Sequence, residues 1–216
     1  MIYGIQRIQL HFFLVISLLA FCISSCSSLT TFGLAVADNQ QPTPSKYAEA
    51  HQVFLTQPNY KTLIYRNDEL IEKLTPENAR IQVSLSGLRA KVFLGEEIAI
   101  DTPVSPGKKT HPTPTGEFTI IAKKKDHHSN LYGTIYNSEG DRVTSGDIRK
   151  NTVPKGGKFV GAAMPYWMRL TNTGVGLHTG YVPSYPVSHG CIRLPKPIAP
   201  VIFAKAKIGT QVIIVD

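Results

Sequence analysis

Cysteine is scarce in this chain of 216 residues, and its three copies are unevenly placed. Cys22 and Cys26 lie in the apolar N-terminal stretch, so Cys191 is the one cysteine left for the folded part. This distribution excludes a disulfide-stapled scaffold, which needs several paired cysteines. A lone thiol is expected either to be a small buried apolar residue or to react.

Long apolar runs are also missing. The longest, Phe12 to Ile23, has about a dozen residues, whereas a membrane-spanning helix needs about 20. A run of this length after the basic Arg7 is typical of an export signal. Ile23-Ser24-Ser25-Cys26 resembles a lipoprotein processing box, which predicts a chain lipidated on Cys26 and held at the periplasmic face of a membrane, the outer membrane being favoured. The alternative is a soluble periplasmic protein cleaved after residue 37, since Ala35-Val36-Ala37 suits ordinary signal peptidase.

Acidic residues are fewer than basic ones, 15 against 23, and only one basic residue, Arg7, precedes Asp38. The positive excess favours an anionic setting such as a cell-wall polymer or a lipid surface. Nucleic acid is not expected as a partner, because an exported protein seldom meets it.

The pattern of residues divides the chain into four parts. Residues 1–26 form the export segment, and residues 27–46 are polar and proline-bearing, which is typical of a tether. Residues 47–79 favour short helices, and from Arg80 the apolar residues alternate with polar ones, as in β-strands. Residues 80–216 are therefore predicted to form one mainly β domain that ends with a short helix, Ile198–Lys207, and a strand.

The first of the predicted helices covers 47–57. Its spacing places Tyr47, Ala50, Val53 and Phe54 on one side, which predicts that this side faces the core.

The richest chemistry lies in Ser188–Arg193, which reads Ser-His-Gly-Cys-Ile-Arg, with His178 shortly before it. A thiol is mostly protonated at neutral pH, and a nearby imidazole is well suited to take its proton. Gly190 lets the backbone approach a reacting carbonyl, whose oxyanion the neighbouring amides are then placed to bind. The pattern predicts a cysteine acyl-transfer site at Cys191 and needs no cofactor.

Other patterns are weaker. His127 and His128 are adjacent in a lysine-rich stretch, and adjacent side chains of an extended chain point apart, which favours a solvated loop over a metal site. Trp167 is either the floor of a substrate groove or plain core. A structural zinc site made by His178, His189 and Cys191 lacks a clear fourth ligand.

The segment Leu177-His178 with Ser188–Leu194 resembles the signature of the L,D-transpeptidase catalytic-domain family, whose cysteine enzymes cross-link peptidoglycan. The segments Pro103–Gly107 and Thr113–Phe118 are similar to further motifs of that family and come in the same order. The resemblance extends over roughly Arg80 to Asp216 and leaves 47–79 without a counterpart.

This resemblance implies a β-sandwich-like catalytic domain that acts on peptidoglycan stem tetrapeptides. It implies that Cys191 is the nucleophile, that His178 is the general base oriented by the Thr179 carbonyl, and that His189 lies near the oxyanion side. It further implies that amides of 189–191 bind the oxyanion, while Ser188 and Arg193 shape the site for substrate.

The chain departs from the commoner family pattern in the loop after His178, which is short, rich in tyrosine and proline, and begins His-Thr-Gly. These changes leave the acceptor open. An amine acceptor gives a transpeptidase, whereas water gives an L,D-carboxypeptidase or a related hydrolase.

Overall fold

The computed structural model describes residues 43–216. The predicted export signal, with Cys26 and the cleavage site after Ala37, and most of the tether therefore lie outside the described residues. Between residues 43 and 216, no helix has both the length and the apolar character that crossing a bilayer requires.

The described chain is mainly β, as the sequence predicts, with three short α-helices. The helices are α1 (Lys46–Leu55), α2 (Asp68–Lys73) and α3 (Ala199–Lys205), and 3-10 turns lie at Tyr60–Thr62 and Ile148–Lys150. The strands are β1 (Tyr65–Arg66), β2 (Ala79–Ser84), β3 (Arg89–Leu94), β4 (Glu97–Pro103), β5 (Gly116–Thr119), β6 (Ala122–Lys124), β7 (His128–Tyr136), β8 (Arg142–Asp147), β9 (Lys158–Ala163), β10 (Trp167–Arg169), β11 (Gly176–Thr179), β12 (Ile192–Leu194) and β13 (Gln211–Val215).

These strands form three sheets. The largest has the order β1-β4-β3-β2-β13-β5, the second β12-β11-β10-β6, and the third β8-β7-β9. Within the largest sheet β2, β3 and β4 form an antiparallel meander, while β13 lies parallel to β2, so the chain's last strand closes back on its first long one.

One hydrophobic core joins the first two sheets and α3. It takes alternate residues of the long strands, such as Ile81 and Val83 of β2, because successive side chains of a strand point to opposite faces. Met168, Leu177 and Ile192 contribute from the second sheet and are fully buried. The core therefore fixes one face of that sheet and leaves its other face to the site described below.

Helix α1 is where predicted, but its buried side is the predicted one only in part, since Phe54 is buried and Tyr47 packs against the core while the other two predicted residues do not. Val53 is 66% exposed and Ala50 is also exposed, whereas His51 and Phe54 are buried. The helix is rotated because the His51 ring contacts Asp101 of β4, with Nε2 2.9 Å from Oδ2. Apolar spacing alone missed this, since it treats a histidine as a surface residue.

The region around 47–79 also adds to the main sheet. Its strand β1 pairs with β4 along the sheet edge, Tyr65 opposite Asp101. Asp101 is buried and accepts a second hydrogen bond, 2.8 Å long, from Arg89 Nε. Arg89 in turn donates through Nη1 to the backbone carbonyls of Tyr60, Lys61 and Leu63.

The polar, glycine-rich stretch from 123 to 161 is more ordered than its composition suggests. The sequence pattern predicts one strand there, Tyr132 to Tyr136, yet the stretch contains β7 and β8 and most of β6 and β9. Hydrogen bonding between strands, rather than a hydrophobic face, holds the three-stranded sheet together, since Ile135 is its only fully buried apolar residue in the described structure.

Candidate active site

Two parallel neighbouring strands bring the predicted catalytic residues together. His178 of β11 lies opposite Arg193 of β12, and Cys191 is two residues before Arg193. Since side chains alternate along a strand, Cys191, Arg193 and His178 share one face of the sheet. Leu177, next to His178, and Ile192, between Cys191 and Arg193, point to the opposite face, into the core.

The same face continues onto β10, where Trp167 and Arg169 flank the core residue Met168. Gly176 of β11 pairs with Arg169. A side chain at 176 would collide with the neighbouring strand, because a Cβ there would lie 2.4 Å from Met168 O and 2.8 Å from Trp167 Nε1. The glycine allows the indole to lie close against β11.

A cavity of about 980 Å³ opens over this face. Its floor includes Cys191, His178, Arg193 and Trp167, and its opposite wall comes from the three-stranded sheet β8-β7-β9. A volume at the upper end of the range for small-molecule sites suits extended peptide segments better than a single small metabolite.

His178 is held in one tautomer. Its Nδ1 lies 2.8 Å from the Thr179 carbonyl oxygen, and since a carbonyl only accepts, Nδ1 carries the hydrogen and Nε2 is left with its lone pair. Burial is the main cause that lowers the pKa of His178 to about 4, the hydrogen bond to Thr179 opposes it, and the positive charge of Arg193 adds a smaller lowering effect, so the ring is neutral near pH 7. A neutral imidazole with a free Nε2 is able to accept a proton.

Cys191 is a free thiol and is partly buried. Burial raises the pKa of Cys191, while the Gly176 backbone amide and Arg193 act in the opposite direction by favouring the thiolate. Its Sγ is 3.6 Å from the Gly174 carbonyl oxygen, which orients the S–H. The two groups that line the cavity floor are therefore a thiol and a neutral imidazole rather than an ion pair.

The turn before Cys191 is fastened by Ser188. The buried Ser188 hydroxyl accepts a hydrogen bond from the Gly190 amide at 3.1 Å and donates one to the Cys191 carbonyl. Gly190 has a φ of +115°, which strongly favours glycine over other residues. Because the Gly190 amide is already engaged, the amides of His189 and Cys191 are the donors of this turn left for an oxyanion.

Thr113 fastens the same turn from the other side, a role that the sequence analysis missed. Its hydroxyl donates to the Gly190 carbonyl and accepts from the Gly107 amide, both at 2.8 Å. Thr113 belongs to the Thr-Pro-Thr-Gly motif, and Gly107 ends the Pro103–Gly107 motif, so both segments serve the cysteine turn. The presence of both family motifs, in the family's order, was the sequence signal for this role.

His189 is exposed and points away from the core towards the third sheet. Its ring stacks on Tyr132 of β7, with centroids 4.3 Å apart, and lies 4.8 Å from the ring of His111. Partial burial lowers the pKa of His189, and the nearby Lys108 and His111 charges act in the same direction. His189 thus connects the cysteine turn to the sheet that forms the opposite cavity wall.

The remaining predicted substrate residues also border the cavity. Arg193 passes over Gly180, where a Cβ would lie 2.9 Å from Arg193 Cδ, so the His-Thr-Gly order leaves room for the arginine. Trp167 is almost fully buried and stacks on His127 at 3.8 Å between centroids. Trp167 therefore belongs to both the core and the cavity floor. Thr179 accepts the hydrogen bond from His178 Nδ1 with its backbone carbonyl.

The zinc alternative has no support in the geometry. Within the described part of the chain, no group of three or more His, Cys, Asp and Glu side chains is arranged to hold a metal ion.

Several solved structures resemble this chain. An L,D-transpeptidase from Mycobacterium smegmatis is 22% identical, with 64% of this chain and 59% of that chain covered and a TM-score of 0.49. Mycobacterium tuberculosis L,D-transpeptidase 1 is 25% identical over 64% and 62% of the two chains, with a TM-score of 0.45. An Enterococcus faecium L,D-transpeptidase mutant is 26% identical over 63% and 49%, with a TM-score of 0.46.

The match spans less than two thirds of each of these solved chains. No curated protein sequence matches the chain. The family model of the L,D-transpeptidase catalytic domain, however, matches residues 78–214, which is more than half of the sequence and contains every residue of the cavity floor described above. The chain therefore belongs to the L,D-transpeptidase catalytic-domain family.

Proposed function

We propose that this protein is a peptidoglycan L,D-transpeptidase that works through an acyl-enzyme on Cys191. The observation that carries the proposal is that Cys191 and a neutral His178 share one sheet face inside one cavity, with the His178 tautomer fixed by Thr179. This is the arrangement that nucleophilic cysteine catalysis requires.

In the first step the Cys191 Sγ attacks the carbonyl carbon of the third residue of a stem tetrapeptide. His178 Nε2 accepts the thiol proton as the S–C bond forms, because neither a free thiolate nor an imidazolium is present beforehand. The amides of His189 and Cys191 stabilise the oxyanion. The C–N bond to D-alanine then breaks, and the proton on Nε2 goes to the leaving amine.

In the second step a side-chain amine of a neighbouring stem peptide attacks the thioester carbonyl. His178 accepts a proton from this amine and returns it to the Cys191 sulfur, so that the peptide is released with a new amide bond and the thiol is restored. Arg193, on the same sheet face, is placed to bind a substrate carboxylate through its planar guanidinium.

Muropeptide analysis tests the reaction and separates the two acceptors. Intact sacculi incubated with the protein are expected to lose tetrapeptides and to gain dimers joined between third residues. Tripeptides without dimers would instead show that water is the acceptor, which makes the protein an L,D-carboxypeptidase. Sacculi left unchanged would contradict the proposal.

We also propose that the protein is exported and anchored through a lipid on Cys26, with residues 27–46 as the tether. The support is the processing box directly after the apolar run and the absence of any acidic residue before Asp38. Dual acylation supplies the two signals that stable attachment to a membrane requires.

A further inference from the structure

Two tyrosines stand out in the loop between His178 and Ser188. Tyr181 is 74% exposed and Tyr185 is 59% exposed, which makes them the two most exposed tyrosine, phenylalanine or tryptophan rings between residues 43 and 216. Neither ring packs against another aromatic ring within residues 43–216. Tyr181 lines the active-site cavity.

The loop that carries these rings is firmly held. The Gly180 amide donates to Leu194 O at 3.0 Å, and the Val187 amide donates to Pro106 O at 3.2 Å, which fixes both ends. In between, the Ser105 hydroxyl donates to Tyr185 O at 2.9 Å. Exposed aromatic rings on an ordered loop lose little conformational entropy when they bind a ligand, which is why rigid tyrosines serve as recognition anchors.

The chemistry of the loop narrows the choice of ligand. From Thr179 to Ser188 the loop has no charged residue, although the chain as a whole carries a formal charge of +8. A neutral aromatic surface with phenol and serine hydroxyls does not suit phosphate-rich polymers or anionic lipids. It suits an uncharged ring with one apolar face and a rim of hydroxyl and amide groups, which is the chemistry of an N-acetylated hexose.

The length of the stem peptide also places a sugar of this kind near the loop. In the reaction proposed above, the attacked carbonyl belongs to the third residue of a peptide whose other end is joined to a sugar of the glycan strand. Three extended residues span at most roughly 10–11 Å, so the sugar lies within about that distance of Cys191 when Cys191 is acylated. Tyr181 borders the same cavity as Cys191.

We propose that Tyr181 and Tyr185 form a sugar-stacking platform that holds the N-acetylhexosamine chain of the donor while its stem peptide enters the cavity. The proposal rests on the proposed function for its donor, but the platform itself is a binding surface of this loop. It makes the enzyme prefer peptides that are still attached to glycan.

The test compares kcat/KM for D-alanine release from a disaccharide-linked tetrapeptide and from the same tetrapeptide without sugar. The wild type is expected to favour the sugar-linked donor about tenfold, the factor that corresponds to about 1.4 kcal/mol. In the double variant Tyr181→Ala/Tyr185→Ala this ratio is expected to fall to near one, and in Tyr181→Trp it is expected to be retained. Ile208→Ala, which alters an exposed apolar residue outside the cavity lining, is the matched control.

A second measurement keeps this test separate from the test of the reaction. Calorimetric titration with a peptide-free tetramer of N-acetylglucosamine is expected to show binding to the wild type and to Cys191→Ala, but not to the double tyrosine variant. If neither donor released D-alanine, the proposed function would be wrong, but the titration would still show whether the two tyrosines bind sugar. A wild-type ratio of one, a ratio unchanged in the double variant, or binding to neutral phospholipid vesicles in place of the sugar would overturn the platform.

Discussion

Burial acts in opposite directions on the pKa values of the two central groups. It lowers the pKa of His178 to about 4 and raises the pKa of Cys191, so both are uncharged over the neutral range. In the proposed mechanism the thiol therefore depends on proton transfer during the attack, and not on a thiolate formed beforehand.

The pH dependence of thiol alkylation follows from this state. With a small alkylating reagent, the rate for Cys191 is expected to climb steadily with pH and to continue rising above pH 9.0, the ordinary pKa of a thiol, because burial raises the pKa of Cys191. Stopped-flow alkylation between pH 5 and 10 measures this. A plateau between pH 5 and 8 would reveal a preformed ion pair and contradict the account.

Replacing the base tests its assignment. His178→Ala is expected to lower the rate of Cys191 acylation by ~10²–10⁴-fold, the usual contribution of a general base, and alkaline pH is expected to restore part of it by forming thiolate directly. His189→Ala is also expected to slow acylation, but without rescue by alkali, since its ring stacks on Tyr132. Rescue of His189→Ala alone would exchange the two roles.

Thr113→Val removes the hydroxyl that joins Gly107 to Gly190 while keeping the side-chain volume. The buried Gly190 carbonyl and Gly107 amide then lose their partner, which is expected to cost about 1–3 kcal/mol of the free energy of unfolding. Acylation is expected to slow as well, because the cysteine turn loosens. Thr115→Val, at an exposed position of the same motif, is the control, and equal effects of the two variants would argue against a role for Thr113.

Among secondary-structure elements, α1 and β4 are linked by polar side chains that lie inside the protein. His51 of α1 and Arg89 of β3 both contact the Asp101 carboxylate, and all three side chains are buried. A buried carboxylate is tolerated only when it is paired in this way. The first helix and the main sheet are thus expected to unfold together.

Asp101→Ala is expected to lower the free energy of unfolding by about 3–5 kcal/mol, because it leaves the Arg89 charge buried without its partner. His51→Ala is expected to cost less, since Arg89 and Asp101 still pair. Denaturant unfolding of both variants measures the difference, with Gln52→Ala, at the exposed neighbouring position, as the control. A larger loss for His51→Ala than for Asp101→Ala would contradict this view of the cluster.

The sequence predicted regular elements well wherever apolar periodicity was clear. Helices α1 and α3 lie close to their predicted positions, and the first long strand, β2, begins where the alternating pattern starts. The buried side of α1 was right for Phe54 but wrong for Ala50 and Val53, because it depends on a polar contact between residues 50 positions apart in sequence, His51 and Asp101. The sheet β8-β7-β9 was largely missed, because its strands lack an apolar face and depend on pairing with each other.

For the site, local sequence named the groups proposed to react, but only the fold shows how they are arranged. The pairing of β11 with β12 aligns His178 with Arg193, and no spacing rule predicts such a register. The contact of Thr113 with Gly190 joins residues 77 positions apart. The lipidation of Cys26 lies outside the described residues and stays a prediction.

Protonation of the site also affects the stability of the protein as a whole. Because the folded protein lowers the pKa of His178 from 6.5 to about 4, the unfolded chain binds a proton there first as the pH falls. This group's contribution to stability is therefore complete above pH 6.5 and is lost progressively between pH 6.5 and about 4. Thermal unfolding of wild type and His178→Gln over this range is expected to show a steeper decline for the wild type, and parallel declines would contradict the pKa of His178.

The most direct measurement of the central claim is the intact mass of the protein after brief incubation with a stem tetrapeptide and no acceptor. The account predicts an adduct equal to the tetrapeptide minus D-alanine, located on Cys191 by peptide mapping and released by an added amine. Cys191→Ala, a small change in volume, is expected to fold and to form no adduct. The account would be contradicted if Cys191→Ala formed an adduct of the same mass as the wild type, or if it released D-alanine at the wild-type rate.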